Sequence, residues 1–451
     1  MTDIIFSFDT EDYVNPNAAD GIINSARLLR KYGIRGCYNV VGMLAEALEE
    51  WGRRDIIDEL RMHHEICLHS HRHSLHPTIN EYSDLADPHA AIAAVIEDES
   101  RGIEKIKRVF DLKEPIRTAC PPGNSTSYAA HYAYAKMGFT MYDGDSLYDA
   151  RRSRPVFACN LTSIRYNQGI AKILFTADEQ FIRDYVEQYV APADVFVFYH
   201  HPQLALVSQY CDVDNFNGAN TPKEKWIPSA CRTPEQTATF YRNFEFLVKL
   251  LREDPRFHVT TYNELDKKLR YERVLKPSML VDIRAQLEED FFPVTVPESF
   301  CLSDIALACR DFLLGKEEHV CGDVYGFLDT PYTVAEPTTL TADEVRIAAQ
   351  GLHDGVFLPE YLCVGDKKIG VADWLRAALA VLLDGAESYT VLPGGAWQID
   401  LDQFPEQRDM CYKGTWVHTK SFEDRYLSDR FRLQSWTFRL PKNTDRKIFL
   451  A

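Results

Sequence analysis

Several features that mark whole classes of protein are missing from this sequence. No run of about 18 apolar residues occurs, so we expect no membrane-spanning helix and no membrane partner. The N-terminal stretch MTDIIFSFD lacks the basic and long apolar segments of a secretory leader, which predicts a cytoplasmic protein. Basic residues number 50 against 67 acidic ones, and the resulting charge of −17 disfavours a nucleic-acid partner.

The cysteines form no pattern that would fix a disulfide framework. There are 11 of them, an odd number, scattered along the chain without any Cys-x-x-Cys pair. A disulfide scaffold or a thiolate zinc site would need closely spaced pairs. We therefore expect reduced, mostly buried thiols.

The length of 451 residues predicts two domains, which we place at 1–272 and 273–451. From residue 3 to about 270, apolar strand-like runs alternate with amphipathic helix-like segments, one of them over 43–61. This alternation predicts an α/β fold, either a parallel barrel or a doubly wound sheet. Both architectures carry their functional side chains at the carboxyl ends of the strands.

Beyond about residue 275 the alternation stops. Segments 299–315, 339–355 and 358–385 are typical of helices, the last with a short β piece before it. The aromatic-rich end, 416–441, alternates like a pair of strands. We therefore predict a smaller, mainly helical domain with a short β tail. Two roles stay open for it: packing or self-association into a homo-oligomer, and positioning of a glycan substrate.

Polar side chains concentrate where the predicted strands of the first domain end. They are Asp9, Glu11 and Asp12 in FDTEDY, His69, Ser70, His71 and His73 in HEICLHSHRHSLH, Cys120 to Asn124 in CPPGN, Asp143 and Asp145 in YDGDS, and His200 and His201 in FYHHPQ. Because the exits of parallel strands meet at one edge, we expect a shared active site.

These residue types suit one kind of chemistry. His69 and His73, four residues apart, would lie on one face of a helical turn and could reach one metal ion. With one carboxylate they make a set of three ligands that leaves room for water and substrate. A second carboxylate could accept a proton from the water, and a histidine of FYHHPQ could return one to the leaving group. The pattern predicts metal-assisted hydrolysis of an acyl bond.

On these motifs, residues 3–270 resemble the polysaccharide deacetylase family, also called NodB-homology or carbohydrate esterase family 4 proteins. His69-Ser70-His71-Arg72-His73 is similar to the family's His-Ser/Thr-x-x-His motif, and Tyr-His-His-Pro is similar to its Leu-His-Pro. FDTEDY resembles the subgroup whose first motif reads Asp-x-Glu-Asp.

The resemblance implies a distorted (β/α)7–8 barrel and a divalent metal, zinc first, with cobalt and nickel as alternatives. It implies that Asp9 is the general base, that His201 is the acid, and that His69 and His73 are ligands. The carboxylate ligand would be Glu11 or Asp12. An extended chain points Glu11 the same way as Asp9, whereas Asp12 would need a turn. Tyr13 joins the residues expected to contact substrate.

The middle motifs depart from the family. Where the family has Arg-x-Pro-x-Gly, this chain has Arg117-Thr-Ala-Cys-Pro-Pro-Gly. The arginine beside the base would therefore be Arg117 or Arg72, or Cys120 would stand in its place. Pro122 has no N–H group, so Gly123 or Asn124 would donate to an oxyanion. The aspartate of the family's fourth motif is assigned to Asp145 rather than Asp143.

The predicted function is removal of an acetyl or other N-acyl group from an amino sugar or glycan, so the partner is a carbohydrate or a small N-acylated compound. Three alternatives stay open: hydrolysis of another linear or cyclic amide or of an O-acetyl ester, glycan binding without catalysis, and a purely structural metal site. A mechanism with Cys120 as a thiolate nucleophile is a further possibility.

Overall fold

The computed structural model describes residues 1–124, 127–144, 154–394, 399, 418–419 and 421–446. The chain divides into two compact units. The first comprises Met1–Pro155, Thr162–Leu269 and Gln407–Leu427, and the second comprises Val156–Leu161, Arg270–Glu406 and Ser428–Ala451. The main division follows Leu269, whereas the sequence places it after residue 272. Each unit also takes one short segment from the predicted range of the other.

The first unit is built on a parallel sheet. Its strands are β1 (Thr2–Thr10), β2 (Cys37–Val40), β3 (Glu65–Leu68), β4 (Thr118–Ala119), β5 (Met141–Asp143), β6 (Leu161–Ile164), β7 (Gln168–Gly169), β8 (Val195–His200) and β9 (Phe257–Val259). The strand order is β6-β5-β4-β3-β2-β1-β8-β7, and β9 also pairs with β1. These pairs are parallel, which confirms the predicted α/β class.

Helices connect the strands, as the alternation predicts. They are α1 (Asp20–Lys31), α2 (Gly42–Glu50), α3 (Arg54–His63), α4 (Ile79–Ser83), α5 (Pro88–Val109), α6 (Tyr128–Lys136), α7 (Ala171–Thr176), α8 (Glu179–Tyr185, followed by a π turn over Val186–Val190), α9 (Cys211–Asn215), α10 (Pro234–Glu253) and α11 (Tyr262–Leu269). The single helix predicted over 43–61 is wrong. Gly52 takes a φ of +68° between α2 and α3, so the chain turns there. None of the described helices is both long enough and apolar enough to cross a membrane.

The sheet is strongly curled, in agreement with a distorted barrel. Ser7 on β1 donates a hydrogen bond of 2.8 Å to Asp143 on β5, although three strands lie between them in the sheet. Adjacent strands lie about 4.8 Å apart, so a flat sheet would separate these residues by roughly 19 Å. The curl therefore brings the exits of β1, β3, β4 and β5 to one concave region.

The second unit is mainly helical. Its helices are Leu280–Glu289, Leu302–Leu313, Ala342–Ala349, Val371–Asp384 and Leu427–Arg432, and its strands are Val156–Ala158, Val274–Leu275, His319–Val320, Thr338–Thr341, Leu362–Val364, Lys367–Ile369 and Ser388–Val391. The predicted helices within 299–315, 339–355 and 358–385 are confirmed. Trp374 lies fully buried in the core of this unit.

The β tail predicted at 416–441 is wrong for its described part. Residues Leu427–Arg432 form a helix, and Leu433–Thr437 continue as a 3-10 turn. Phe431, Trp436 and Phe438, which contribute to the alternating pattern, are buried although the backbone here is helix and turn rather than strand. One antiparallel bridge, between Arg439 and Phe157, is the β structure found in the described residues of this part of the chain.

Candidate active site

Two buried carboxylates lie at the exit of β1. Asp9 is in the strand and Glu11 follows it, and each is 3% exposed. Asn39 Nδ2 donates to Asp9 Oδ1 at 2.7 Å, and Gln203 Nε2 donates to Glu11 Oε1 at 3.0 Å. Each carboxylate thus has one oxygen held by a side-chain amide. The other oxygen is turned toward the histidines, as the extended-chain argument for Glu11 predicts.

The loop after β3 carries the two predicted histidine ligands, but not on a helical turn. Ser70 has a φ of +63° and His73 a φ of +54°, and His73 N donates to Ser70 Oγ at 3.0 Å. The predicted helical face is therefore wrong, because two residues in the left-handed region reverse the chain instead. The tight loop still brings the imidazole rings together, with centroids 5.0 Å apart.

Each imidazole is anchored through Nδ1, so that Nε2 faces the centre. His69 Nδ1 lies 2.9 Å from the Cys120 carbonyl oxygen, to which it donates. His73 Nδ1 lies 2.6 Å from Ser74 Oγ and 3.2 Å from Asp212 Oδ1. Ser74 Oγ also donates a hydrogen bond to Asp212 Oδ1. Such partners on the distal nitrogen are typical of histidines that bind metals.

Glu11, His69 and His73 form a group that fits a divalent cation. His73 Nε2 is 2.9 Å and His69 Nε2 is 3.5 Å from Glu11 Oε2, and the ligand atoms of all three lie within 4.8 Å of one another. His69 Nε2 is buried and makes no conventional hydrogen bond to the described residues. Two imidazole nitrogens and one carboxylate oxygen are the donors of many catalytic zinc sites.

The charges of this group are strongly coupled. Although burial raises it, the pKa of Glu11 is held well below its usual value by His201 and His73. Burial alone would lower the pKa of His73, but the Asp212 and Glu11 carboxylates raise it to about 10. A metal ion bound through Nε2 must displace that proton, so metal affinity should fall at lower pH.

Asp12, the alternative carboxylate ligand, has another role in the structure. Its Oδ1 accepts hydrogen bonds from the backbone N–H groups of Val14 at 3.0 Å and Asn15 at 2.9 Å. It therefore closes the turn after β1 and is not a member of the three-residue group. Burial raises the pKa of Asp12 to about 6. The geometry favours Glu11 as the ligand.

His201 approaches the same carboxylates from the exit of β8. Its Nε2 lies 3.6 Å from Glu11 Oε2 and 3.8 Å from Asp9 Oδ2. The hydroxyl of Tyr199 lies 2.8 Å from Nε2, and the hydroxyl of Tyr210 lies 3.2 Å from Nδ1. Two tyrosines thus fix the ring that the sequence predicts as the acid. Its neighbour His200 points into the core, where burial lowers its pKa well below the usual value.

Neither candidate arginine reaches Asp9. Arg117 is exposed at the start of β4, three residues before the site, and Arg72 pairs with Asp98 at 3.2 Å. The prediction of Arg117 as a site residue is therefore wrong, because its side chain lies at the opposite end of the short strand. Cys120 takes the position beside the carboxylate, with its Sγ 3.5 Å from Asp9 Oδ1. Burial raises the pKa of this thiol well above its usual value, which disfavours a thiolate nucleophile.

The remaining predicted site residues are Tyr13, Gly123, Asn124 and Asp145. Tyr13 donates from its hydroxyl to the Arg72 carbonyl at 3.2 Å and so braces the histidine loop. Gly123, with a φ of +55°, and Asn124 lie in the turn Pro122–Asn124 after Cys120. Asp145 lies outside the described residues.

Asp143, the rejected alternative to Asp145, belongs to a buried network behind the base. It accepts hydrogen bonds from Ser7 and Tyr262, and Ser7 in turn accepts one of 2.9 Å from Asn39. Burial raises the pKa of Asp143 to about 7. The network therefore connects a buried acid to the amide that holds Asp9.

Sequence reasoning missed the residues that hold the site: Asn39, Ser74, Tyr199, Gln203, Tyr210 and Asp212. Asn39 gave the clearest signal, since an asparagine inside the apolar strand CYNV calls for a buried partner. Asp212, 139 positions from His73, gave none.

Comparisons with known proteins give distant similarities. No family model and no curated protein matches the chain. Among solved structures, a mutant of the peptidoglycan deacetylase PdaC from Bacillus subtilis is 12% identical, with a TM-score of 0.31 and coverage of 64% of this chain and 95% of that one. PuuE allantoinase is 10% identical, with a TM-score of 0.38 and coverage of 59% and 89%. The 4-alpha-glucanotransferase from Thermococcus litoralis is 11% identical, with a TM-score of 0.44 and coverage of 64% and 46%. Similarities at this level assign no activity to the chain.

Proposed function

We propose that this protein is a metal-dependent hydrolase that removes an acetyl or other N-acyl group from an amino sugar or related glycan. The observation that carries the proposal is the convergence of Glu11, His69 and His73 on one point, with Asp9 and His201 beside it. A divalent cation there, zinc first, would lower the pKa of a water molecule and polarise an acyl oxygen.

The other steps belong to side chains of this chain. Asp9 Oδ2 is the oxygen left available by Asn39, so it accepts the proton of the attacking water. His201, held by Tyr199 and Tyr210, donates a proton to the leaving nitrogen. Burial of both groups excludes bulk water and strengthens these interactions.

The test combines metal analysis with product release. The purified chain is stripped, reloaded with zinc, cobalt or nickel, and incubated with N-acetylated sugars, linear and cyclic amides, and O-acetyl esters. We expect about one bound metal per chain and acetate release from the amino sugars. Asp9→Asn should keep the metal and lose at least about a hundredfold in kcat, whereas His69→Ala should lose both.

Three further variants make the result specific. Glu11→Gln and Asp12→Asn separate the two carboxylates: Glu11→Gln should lose metal, and Asp12→Asn should retain it. His258→Ala is the matched histidine control, because His258 pairs with Asp3 at the opposite end of β1. A wild-type chain that binds no metal under any loading condition would refute the proposal.

A further inference from the structure

A second group of potential ligands overlaps the first. Asp9, His69 and Cys120 also place their ligand atoms within 4.8 Å of one another. Cys120 is 6% exposed and its Sγ lies 3.5 Å from Asp9 Oδ1. Asp9 Oδ2 lies 3.8 Å from His69 Nε2. This second group combines one oxygen, one nitrogen and one sulfur donor.

The two groups share a single nitrogen. His69 donates its Nδ1 proton to the Cys120 carbonyl, so only Nε2 offers a lone pair, and that pair binds one cation at a time. A cation can therefore occupy the Glu11–His69–His73 position or the Asp9–His69–Cys120 position, but not both.

We propose that a thiophilic divalent cation binds at the Asp9–His69–Cys120 position and thereby blocks the reaction. This inference rests on the proposed function, because the cation would coordinate Asp9, the base. The Cys120 thiol loses its proton to solvent as the sulfur–metal bond forms, and no electron transfer is involved. Thiolate ligands favour soft cations, whereas imidazole and carboxylate ligands suit cobalt and nickel.

Which of the two positions a cation occupies should depend on how strongly that cation prefers sulfur. Cadmium, which is softer than zinc, should take the sulfur-containing position, and cobalt should take the position with Glu11 and His73. Cadmium would then inhibit the reaction through Cys120, a residue outside the Glu11–His69–His73 group.

The experiment compares the full chain with Cys120→Ser after loading with one equivalent of cadmium or cobalt. Bound metal is measured by elemental analysis, and thiolate coordination is measured by the sulfur-to-cadmium charge-transfer absorption. The activity of the cadmium-loaded chain is divided by that of the cobalt-loaded chain. Cys67→Ser is the matched control, because Cys67 is a fully buried thiol of the adjacent strand in a separate group with Cys37 and Glu65.

We expect the charge-transfer band in wild type and in Cys67→Ser, and its loss in Cys120→Ser with cadmium still bound. The cadmium-to-cobalt activity ratio should rise at least about tenfold in Cys120→Ser. Bound cadmium without the band in wild type, or a band abolished by Cys67→Ser alone, would overturn the inference and leave the proposed function standing. A chain that binds neither metal would overturn both.

Discussion

Removing the amide that holds the base should slow catalysis without removing the metal. In Asn39→Ala, Asp9 Oδ1 loses its 2.7 Å hydrogen bond and keeps only the weak contact with Cys120 Sγ. The carboxylate is then free to rotate, so Oδ2 is no longer fixed toward the reacting water. None of the hydrogen bonds from Asn39 reaches Glu11, His69 or His73.

The size of the effect follows from the type of bond. A hydrogen bond to a charged group contributes about 1.5–3 kcal/mol. If the bond acts in the transition state, its loss corresponds to a decrease in kcat of roughly ten- to one-hundredfold, since about 1.4 kcal/mol is a factor of ten. The free energy of unfolding should also fall by about 1–3 kcal/mol, because the Ser7 hydroxyl loses a buried partner as well.

Asn243→Ala separates the two effects. Asn243 is also buried and also donates two hydrogen bonds from Nδ2, to the carbonyls of Leu174 and Ala177 at 2.9 Å. In denaturant unfolding, Asn243→Ala should lower the free energy of unfolding by an amount comparable to Asn39→Ala. It should keep the wild-type kcat. If Asn39→Ala keeps kcat within about twofold of wild type while its metal content stays unchanged and its stability falls as expected, Asn39 does not position the base.

Three further results are expected. Asp212→Asn should weaken metal binding about ten- to one-hundredfold in chelator competition, because the carboxylate orients His73; unchanged affinity would refute that role. Gly102→Ala should also weaken it and lower Tm, since a Cβ there would lie 2.7 Å from the His71 Cα and displace the histidine loop; an unchanged Tm would show that the loop adapts. The pKa of Asp143 is raised to about 7, so the folded chain holds a proton that the unfolded chain releases above about pH 4. The free energy of unfolding should therefore fall as the pH rises from about 4 to about 7, by up to about 1.4 kcal/mol per pH unit. Asp143→Asn should flatten that slope in urea titrations at a series of pH values.

The sequence predicted the parts of the molecule that depend on local pattern. Alternating apolar and amphipathic segments identified the strands and helices, and the polar residues at strand exits identified Asp9, Glu11, His69 and His201, which the structure brings together. The periodicity failed where a single residue changes the backbone. The positive φ of Ser70 is one such case, and no composition rule announces it.

The residues that hold the site could not be read from spacing. His73 meets Asp212 across 139 positions, and Asn39 meets Asp9 only because β1 and β2 pair in parallel with these two residues in register. Arg117 illustrates the converse. Its place in the motif predicted a contact with the base, but the short strand β4 leaves its side chain exposed.

The groups around Asp9 and Glu11 also bear on the charge of the site. Asp9 and Glu11 are almost fully buried, yet among the described residues neither forms an ion pair with a lysine or an arginine. Their partners are the neutral amides of Asn39 and Gln203, which orient the carboxylates without neutralising them. Buried charges are costly unless they are compensated, and the side chains that approach this pair within 4 Å include the histidines His69, His73 and His201. Under the proposed function, a divalent ion held by Glu11, His69 and His73 would supply the positive charge that this pair of carboxylates does not receive from a described lysine or arginine.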